Sequence, residues 1–355
     1  MEGWKGEGGS TMASNGSGGA ATVSRDVVGD LSHDDLRRLY ETMVLARQLD
    51  ERMWLLNRSG RAPFVISVQG HEAAQVGMGF ALDPSKDWLF PYYRDLALVL
   101  HFGHTPRDAM LSLLSRAAEP NSGGRQMPGH YGSREHHFYT VSSPVGSQIA
   151  QAPGFALAAK MRGEDTVVVT SIGEGGTSQG DFHEGLNWAS IHKLGVIFFV
   201  QNNHYAISVP MDMEMAVKTV AERAAAYGMP GVRVDGADAV EVYLAAREAV
   251  ARARRGDGPT LFEAVMNRMT PHSSDDDDRF YRSREEVQSY KQRDPLVITR
   301  QRLLDLGALD DAHEAEILAR VKAAVNDATD YAEQAPLPDP SEAFKHVYAE
   351  EGRTV

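Results

Sequence analysis

Apolar positions along this chain follow two patterns. Residues 166–172 (Thr-Val-Val-Val-Thr-Ser-Ile), 196–201 (Val-Ile-Phe-Phe-Val-Gln) and 260–265 (Thr-Leu-Phe-Glu-Ala-Val) are apolar almost without a break. A strand is apolar on both sides when both sides are covered, so these runs predict a parallel sheet packed between helices. Val232-Arg233-Val234 is a shorter strand-like piece. The segments between carry the wider spacing of helices. A helix starts near Ser32-His33-Asp34-Asp35, presents Leu36, Leu39, Tyr40, Met43 and Leu45 on one face, and ends in a loop at 57–60. Residues 70–79 read as a helix of small side chains, and 148–161 as a helix after Pro144. Another begins at Asp181, with Asp181 and Glu184 spaced as an N-cap and its partner, and Phe182, Leu186 and Ala189 as its buried stripe. Further helices are expected over 240–255, 297–306 and 312–331.

This alternation gives an α/β fold, a doubly wound, mostly parallel sheet with helical N- and C-terminal extensions. The folded unit is expected over 29–335. It is flanked by a Gly/Ser-rich disordered tail over 1–28 and a C-terminal tail over 336–355. Residues 121–139 are polar and glycine-rich and read as a loop.

Composition narrows the function classes. The chain has 355 residues and a formal net charge of −13, which argues against nucleic acid or an anionic membrane as partner. No apolar run reaches the roughly eighteen residues of a membrane span. There are no cysteines, which removes disulfides, thiolate metal sites and cysteine nucleophiles. The N-terminal tail lacks an apolar signal core and sets Glu2, Glu7 and Asp26 against Lys5 and Arg25, so a bacterial-type cytoplasmic protein is expected.

The candidate chemistry lies at the ends of two of these strands. Gly173-Glu174-Gly175-Gly176 follows the first, and Asn202-Asn203 closes the second about thirty residues later. A diphosphate held by a divalent cation needs glycines for close approach, carboxylate and amide oxygens for the metal, and a helix N-terminus facing the phosphate. A P-loop would require a lysine that this loop lacks. A dinucleotide fingerprint would require a sixth-position glycine where Ser178 stands. A glycine turn after a strand is by itself also compatible with a simple tight turn.

Gly-acid-Gly, about thirty residues, then Asn-Asn resembles the thiamine diphosphate signature. From about Leu36 to about Val347 the chain is similar to the α subunit of the decarboxylating component of 2-oxo acid dehydrogenase complexes, nearest to the branched-chain (2-oxoisovalerate) enzymes. The resemblance implies a thiamine diphosphate-binding fold with Mg²⁺ held by Glu174, Asn203 and the Tyr205 carbonyl. It assigns Tyr93, Arg94 and Arg268 to the diphosphate and Gly173, Gly175 and Gly176 to the loop beside it. Ser143 and Val145 would line the coenzyme, Val145 near the aminopyrimidine. Ser142, Pro144, Ser147 and Gln148 match a monovalent-cation site suited to potassium. Ser143 with Pro144 also reads, from the residues alone, as a helix cap and first turn.

In Thr270-Pro271-His272-Ser273-Ser274, followed by Asp275 to Asp278, His272 matches the family's catalytic histidine, and Ser273 the position that kinases phosphorylate in mitochondrial relatives. A histidine there would orient and protonate during acyl transfer. The aspartate run lacks calcium-loop spacing and reads as a charged mobile loop that orders with the cofactor. The block 124–132 favours branched-chain members and points His130 at the active site; Phe64 matches a border of the acyl pocket. Gln201 stands where branched-chain relatives carry arginine, so no phosphate contact is assigned to it.

The implied reaction is oxidative decarboxylation of a 2-oxo acid, the thiazolium ring serving as electron sink, with acyl transfer to lipoamide on a dihydrolipoyl acyltransferase. No glutamate that would activate the aminopyrimidine is found. One α/β unit is half of what such enzymes need, so a β subunit and an α₂β₂ heterotetramer are expected. Pyruvate, 2-oxobutanoate or acetoin as substrate stays open. A nicotinamide-dependent dehydrogenase and a non-catalytic scaffold are the readings from other classes.

Overall fold

The computed structural model describes residues 28–345 together with 347 and 348. The N-terminal tail lies, except for Val28, outside the described residues.

The chain enters through α1 (His33–Arg58), whose Ser32 and Asp35 form a reciprocal capping box. Then follow α2 (Glu72–Phe80), β1 (Trp88–Phe90), α3 (Leu96–His101), α4 (Pro106–Leu113) and α5 (Ser147–Met161). The central unit is β2 (Val168–Gly173), a short 3₁₀ turn over Glu174–Ser178, α6 (Gly180–Ile191) and β3 (Val196–Asn202). A small hairpin of β4 (Tyr205–Ala206) and β5 (Val209–Pro210) leads through α7 (Met211–Glu214) to β6 (Gly231–Asp235), α8 (Ala239–Arg254) and β7 (Thr260–Val265). Helices α9 (Arg284–Tyr290), α10 (Pro295–Asp305) and α11 (Asp311–Gln334) complete the order.

The main sheet has five strands, all parallel, in the order β1-β2-β3-β7-β6. After β3 the chain crosses to the far edge for β6 and returns to insert β7. Strand side chains alternate between two cores. Val169, Ile197, Phe199 and Phe262 pack with α2, α3 and α8 on one face. Val168, Val196, Phe198 and Leu261 pack with α5 and α6 on the other. Two covered faces are the reason these strands read as unbroken apolar runs. A third cluster joins α1, α4, α10 and α11 into the helical extension expected at both ends. The buried Arg47 of α1 ties this layer together, reaching Glu72 at 2.6 Å and Asp294 at 2.9 Å.

Two local expectations are corrected. Helix α6 is preceded by Gln179 without a side-chain cap, and Asp181 lies inside its first turn. The glycine loop runs into the helix through the 3₁₀ turn, so the helix starts before the acid rather than at it. Helix α5 is not capped by Ser143: its N-cap is Gly146 at φ 98°, a left-handed conformation that glycine adopts without penalty. Strand β1 and helices α3, α4 and α9 were not anticipated, being too short to show periodicity.

Candidate active site

A cavity of about 440 Å³ opens at the carboxyl edge of the sheet. This is where open parallel sheets bind ligands, because the loops leaving the strands diverge there. Tyr93 and Arg94 come from the loop after β1, Glu174 from the turn after β2, Asn203 and Tyr205 from beyond β3, and Arg268 and His272 from beyond β7. Residues scattered over 180 positions of sequence thus meet because the strands are parallel and adjacent.

Glu174 and Asn203 form the floor. The Asn203 backbone N–H donates to Glu174 Oε2 at 3.0 Å, joining the ends of β2 and β3. The other carboxylate oxygen, Oε1, and the Asn203 side-chain oxygen are buried without a hydrogen-bond partner. Burial pushes the Glu174 carboxyl up to about 7, against the opposing pull of the Asn203 N–H. An unpaired buried polar atom costs roughly 1–3 kcal/mol, so these two orphan oxygens could serve a cation that takes both. Among the described residues there is no group of three or more His, Cys, Asp or Glu able to hold a metal. A carboxylate and an amide instead suit a hard cation that completes its shell with ligand and water oxygens. The Tyr205 phenol donates to Glu286 at 2.8 Å, which leaves the role expected of Tyr205 to its carbonyl.

The glycines divide the labour. A Cβ at Gly175 would stand 2.5 Å from Ala206 Cβ, and one at Gly176 would stand 2.2 Å from Ile172 Cδ1. At Gly173 it would meet no protein atom within 4 Å and would project into the cavity instead. Gly175 and Gly176 let the turn fold against its neighbours; Gly173 keeps room for a ligand.

Opposite this floor, Arg94 and Arg268 are the largest fully buried side chains among the described residues. Arg94 donates to the Ser67 carbonyl at 2.5 Å and the His272 carbonyl at 3.2 Å, and its Nη2 lies 3.3 Å from His272 Nδ1. Arg268 donates to the Ile207 carbonyl at 2.8 Å and the Tyr281 hydroxyl at 2.9 Å, while its Nε and Nη1 have no partner. All these partners are neutral. Among the described residues neither guanidinium is ion-paired to a carboxylate, whereas buried Arg47 and Arg282 both are. Burial and the neighbouring Arg94 lower the Arg268 pKa. Two buried, uncompensated cations, of which Arg268 has two free donors, could hold an anion. Ile207 takes φ 58° to present its carbonyl, which is an unusual conformation for a β-branched residue.

His272 sits beside the arginines. Burial, then the charges of Arg94 and Arg268, lower its pKa to about 3. Both effects act against the near-neutral titration expected from the residue type and favour the neutral ring. Nδ1 faces an arginine, which can only donate, so the proton belongs on Nε2. The loop expected to be mobile is pinned. His272 N–H donates to Asp276 at 2.7 Å, Asp276 accepts from the Tyr281 hydroxyl, and buried Arg282 bonds the carbonyls of Arg268 at 2.6 Å and Thr270 at 2.7 Å. The aspartates thus serve as internal acceptors.

The remaining wall matches expectation in part. Phe64, His130, Ser143 and Val145 all line the cavity. The Ser143 hydroxyl, instead of capping α5, lies 2.6 Å from His130 Nε2. Ser147 Oγ donates to the Pro144 carbonyl at 3.2 Å and Gln148 Nε2 to the Ser171 carbonyl at 2.8 Å, so these groups of the expected potassium site are engaged with protein partners. Ser142 lies outside this cavity, in a neighbouring surface depression. Gln201 is fully buried, bonds Gln75 at 2.9 Å and Asp95 at 2.5 Å, and does not line the cavity. Ile66, Gln179 and Ile207 join the wall without any sequence signal, since none stands in a motif, and Met127 joins it from the block 124–132.

The family model described as "Dehydrogenase E1 component" matches residues 40–341. The chain is 55% identical over 311 residues (88% of this chain, 94% of the relative) to the 2-oxoisovalerate dehydrogenase subunit alpha of Bacillus subtilis strain 168. It is 40% identical over 332 residues (94% and 88%) to the 3-methyl-2-oxobutanoate dehydrogenase subunit alpha of Mycobacterium tuberculosis strain H37Rv. It is also 40% identical over 306 residues (85% and 79%) to the pyruvate dehydrogenase E1 component subunit alpha of Staphylococcus aureus strain Mu50. With most of its length matched and its phosphate-type loop, orphan oxygens and unpaired arginines gathered at one sheet edge, the chain belongs to the dehydrogenase E1 component family.

Proposed function

We infer that this chain is the α subunit of a branched-chain 2-oxo acid dehydrogenase. It would catalyse thiamine diphosphate-dependent oxidative decarboxylation of a substrate of the 3-methyl-2-oxobutanoate type, with the acyl group passed to lipoamide of a dihydrolipoyl acyltransferase. The observation that carries this reading is the pairing of two unneutralised buried guanidiniums with the two orphan oxygens across one cavity. A diphosphate bound to Mg²⁺ would answer both at once: Arg94 and Arg268 would hold its oxygens, and Glu174, Asn203 and the Tyr205 carbonyl would hold the cation.

When bound, the coenzyme supplies the electron sink that no side chain provides. This chain binds and orients. Gly173 leaves room for the phosphate, Tyr93 walls the pocket beside Arg94, and Ser143 and Val145 flank its open side. His272 presents Nε2–H to the reacting region, and an anion between the guanidiniums raises its pKa by offsetting their charge. Phe64, Ile66 and Met127 give an apolar wall fitted to an alkyl side chain.

The branched-chain preference draws on the 55% identity to a relative named for 2-oxoisovalerate. The pyruvate-named relative is less similar, at 40%. A β subunit in an α₂β₂ assembly would close the cavity and supply the activating glutamate, since among the described residues Glu174 is the only glutamate in its wall and would be taken up by the cation. Ser142, Pro144, Ser147 and Gln148 would bind potassium after rearrangement; a higher melting temperature in K⁺ than in Na⁺ would support this. Among the described residues no helix is long and apolar enough to cross a membrane, and the cytoplasm is the compartment we assign.

The test is a substrate panel on co-expressed α and β subunits with ferricyanide as electron acceptor. Branched-chain 2-oxo acids should give the highest kcat/KM, and α alone should be inactive. Faster turnover of pyruvate would overturn the substrate assignment. Calorimetric binding of NAD but not of thiamine diphosphate with Mg²⁺ would overturn the class.

A further inference from the structure

His71 belongs to no motif and takes no part in the reaction described above. It is fully buried, at the N-cap of α2, and its Nε2 lies 3.3 Å from the side-chain nitrogen of Asn203. Its backbone has no freedom. Gly70 beside it adopts φ 96°, and a Cβ there would fall 1.9 Å from the Asn267 carbonyl oxygen. The Met269 N–H also holds the Gln69 carbonyl at 3.2 Å. The ring is therefore presented to Asn203 by a rigid segment clamped against the strand that leads to Arg268.

An asparagine amide has a donor end and an acceptor end, and which one faces a given direction is set by its neighbours. The end of Asn203 turned away from His71 carries the oxygen that lacks a partner, as does the free oxygen of Glu174. Were His71 to carry its proton on Nε2, Asn203 would turn its oxygen to the ring and its NH₂ towards the cation position, which repels a cation. The structure turns the Asn203 nitrogen to Nε2 at 3.3 Å; with the proton on Nδ1, Nε2 accepts from that nitrogen and the oxygen is left for the metal. We propose that His71 is a positioning residue for the cation site, holding the Asn203 amide with its oxygen toward the metal by accepting a hydrogen bond from its nitrogen. The inference rests on the reading of Glu174 and Asn203 as cation ligands.

The experiment measures Mn²⁺ affinity, by the electron paramagnetic resonance signal of free Mn²⁺, in the assembled α/β enzyme with saturating thiamine diphosphate. His71→Leu removes the acceptor and fills the space. His71→Gln restores an acceptor oxygen. Loss of a group that orients a metal ligand weakens metal binding by about 10–100-fold, so the leucine variant should lose at least about tenfold and the glutamine variant less than about threefold. A leucine variant that binds as tightly as wild type, or a glutamine variant that loses as much as leucine, overturns the proposal. Should the leucine variant not assemble, the glutamine variant decides alone, retention supporting the proposal and a tenfold loss ending it. Wild-type enzyme that binds no Mn²⁺ with the coenzyme present would overturn the cation-site reading as well; Mn²⁺ binding in wild type with unaffected variants removes only the role of His71.

Discussion

Replacing Arg268 by methionine separates the demands of ligand binding from those of folding. Methionine keeps an unbranched apolar stem of similar reach and removes the charge. Arg268 has two N–H groups without partners, at Nε and Nη1, both buried at the cavity wall. A hydrogen bond to a charged partner contributes roughly 1.5–3 kcal/mol, so two of them to a diphosphate contribute at least about 3 kcal/mol. At about 1.4 kcal/mol per decade, the substitution should weaken coenzyme binding by at least about 100-fold. The assay is thermal unfolding of the assembled enzyme at fixed Mg²⁺ while thiamine diphosphate is titrated. Ligand at about 100 times the wild-type Kd stabilises wild type by about 2.7 kcal/mol, and the same concentration should stabilise the variant by less than about 0.5 kcal/mol. Each protein's ligand-free transition is its own baseline, which removes any effect on the fold itself. Relief of an unpaired buried charge also offsets the two hydrogen bonds lost to Ile207 and Tyr281, so the ligand-free variant should melt close to wild type. A variant whose transition moves with coenzyme as far as wild type would refute the anion-site argument.

Other outcomes follow from the same geometry. Gly173→Ala should leave unfolding nearly unchanged and weaken coenzyme binding, because its methyl group meets only the cavity; Gly175→Ala, 2.5 Å from Ala206 Cβ, should destabilise the fold by about 1–3 kcal/mol in urea titration, and the reverse ranking would contradict the division of roles. Chelating Mg²⁺ should abolish the coenzyme-induced rise in melting temperature, and Glu174→Gln should do so even with the metal present; an undiminished rise would remove the cation site. Asp50 is buried and bonded to Ser67, Val68 and Gln69, and burial raises its carboxyl to about 6. The folded state therefore holds a proton that the unfolded chain releases near pH 4. The stability linked to it is full below about pH 4 and lost as pH rises through about 6, on the order of 3 kcal/mol. Compared with Asp50→Asn, wild type should lose ground across that window in melting curves, and a constant difference between the two would show that Asp50 does not titrate there.

The sequence by itself determined the layered architecture and much of the site's membership. Nearly unbroken apolar runs at 166–172, 196–201 and 260–265 have one economical solution, a parallel sheet covered on both faces, and the alternation of the two cores along each strand bears that out. The motif residues Glu174, Asn203, Arg94, Arg268 and His272 do converge, because loops leaving adjacent parallel strands share one edge. Only the tertiary structure decided which of their atoms are left free. That Glu174 spends one oxygen on the Asn203 backbone and leaves the other unpaired depends on the register of β2 against β3. Burial, and then two guanidiniums from distant loops, lower the His272 pKa, and the aspartate run after it is held by Tyr281 and Arg282. His71 had no local pattern to announce it, since its partner is 132 positions away. Periodicity and spacing are local properties of a chain, whereas burial, orphaned atoms and the sign of a neighbouring charge are set by contacts between segments far apart in sequence.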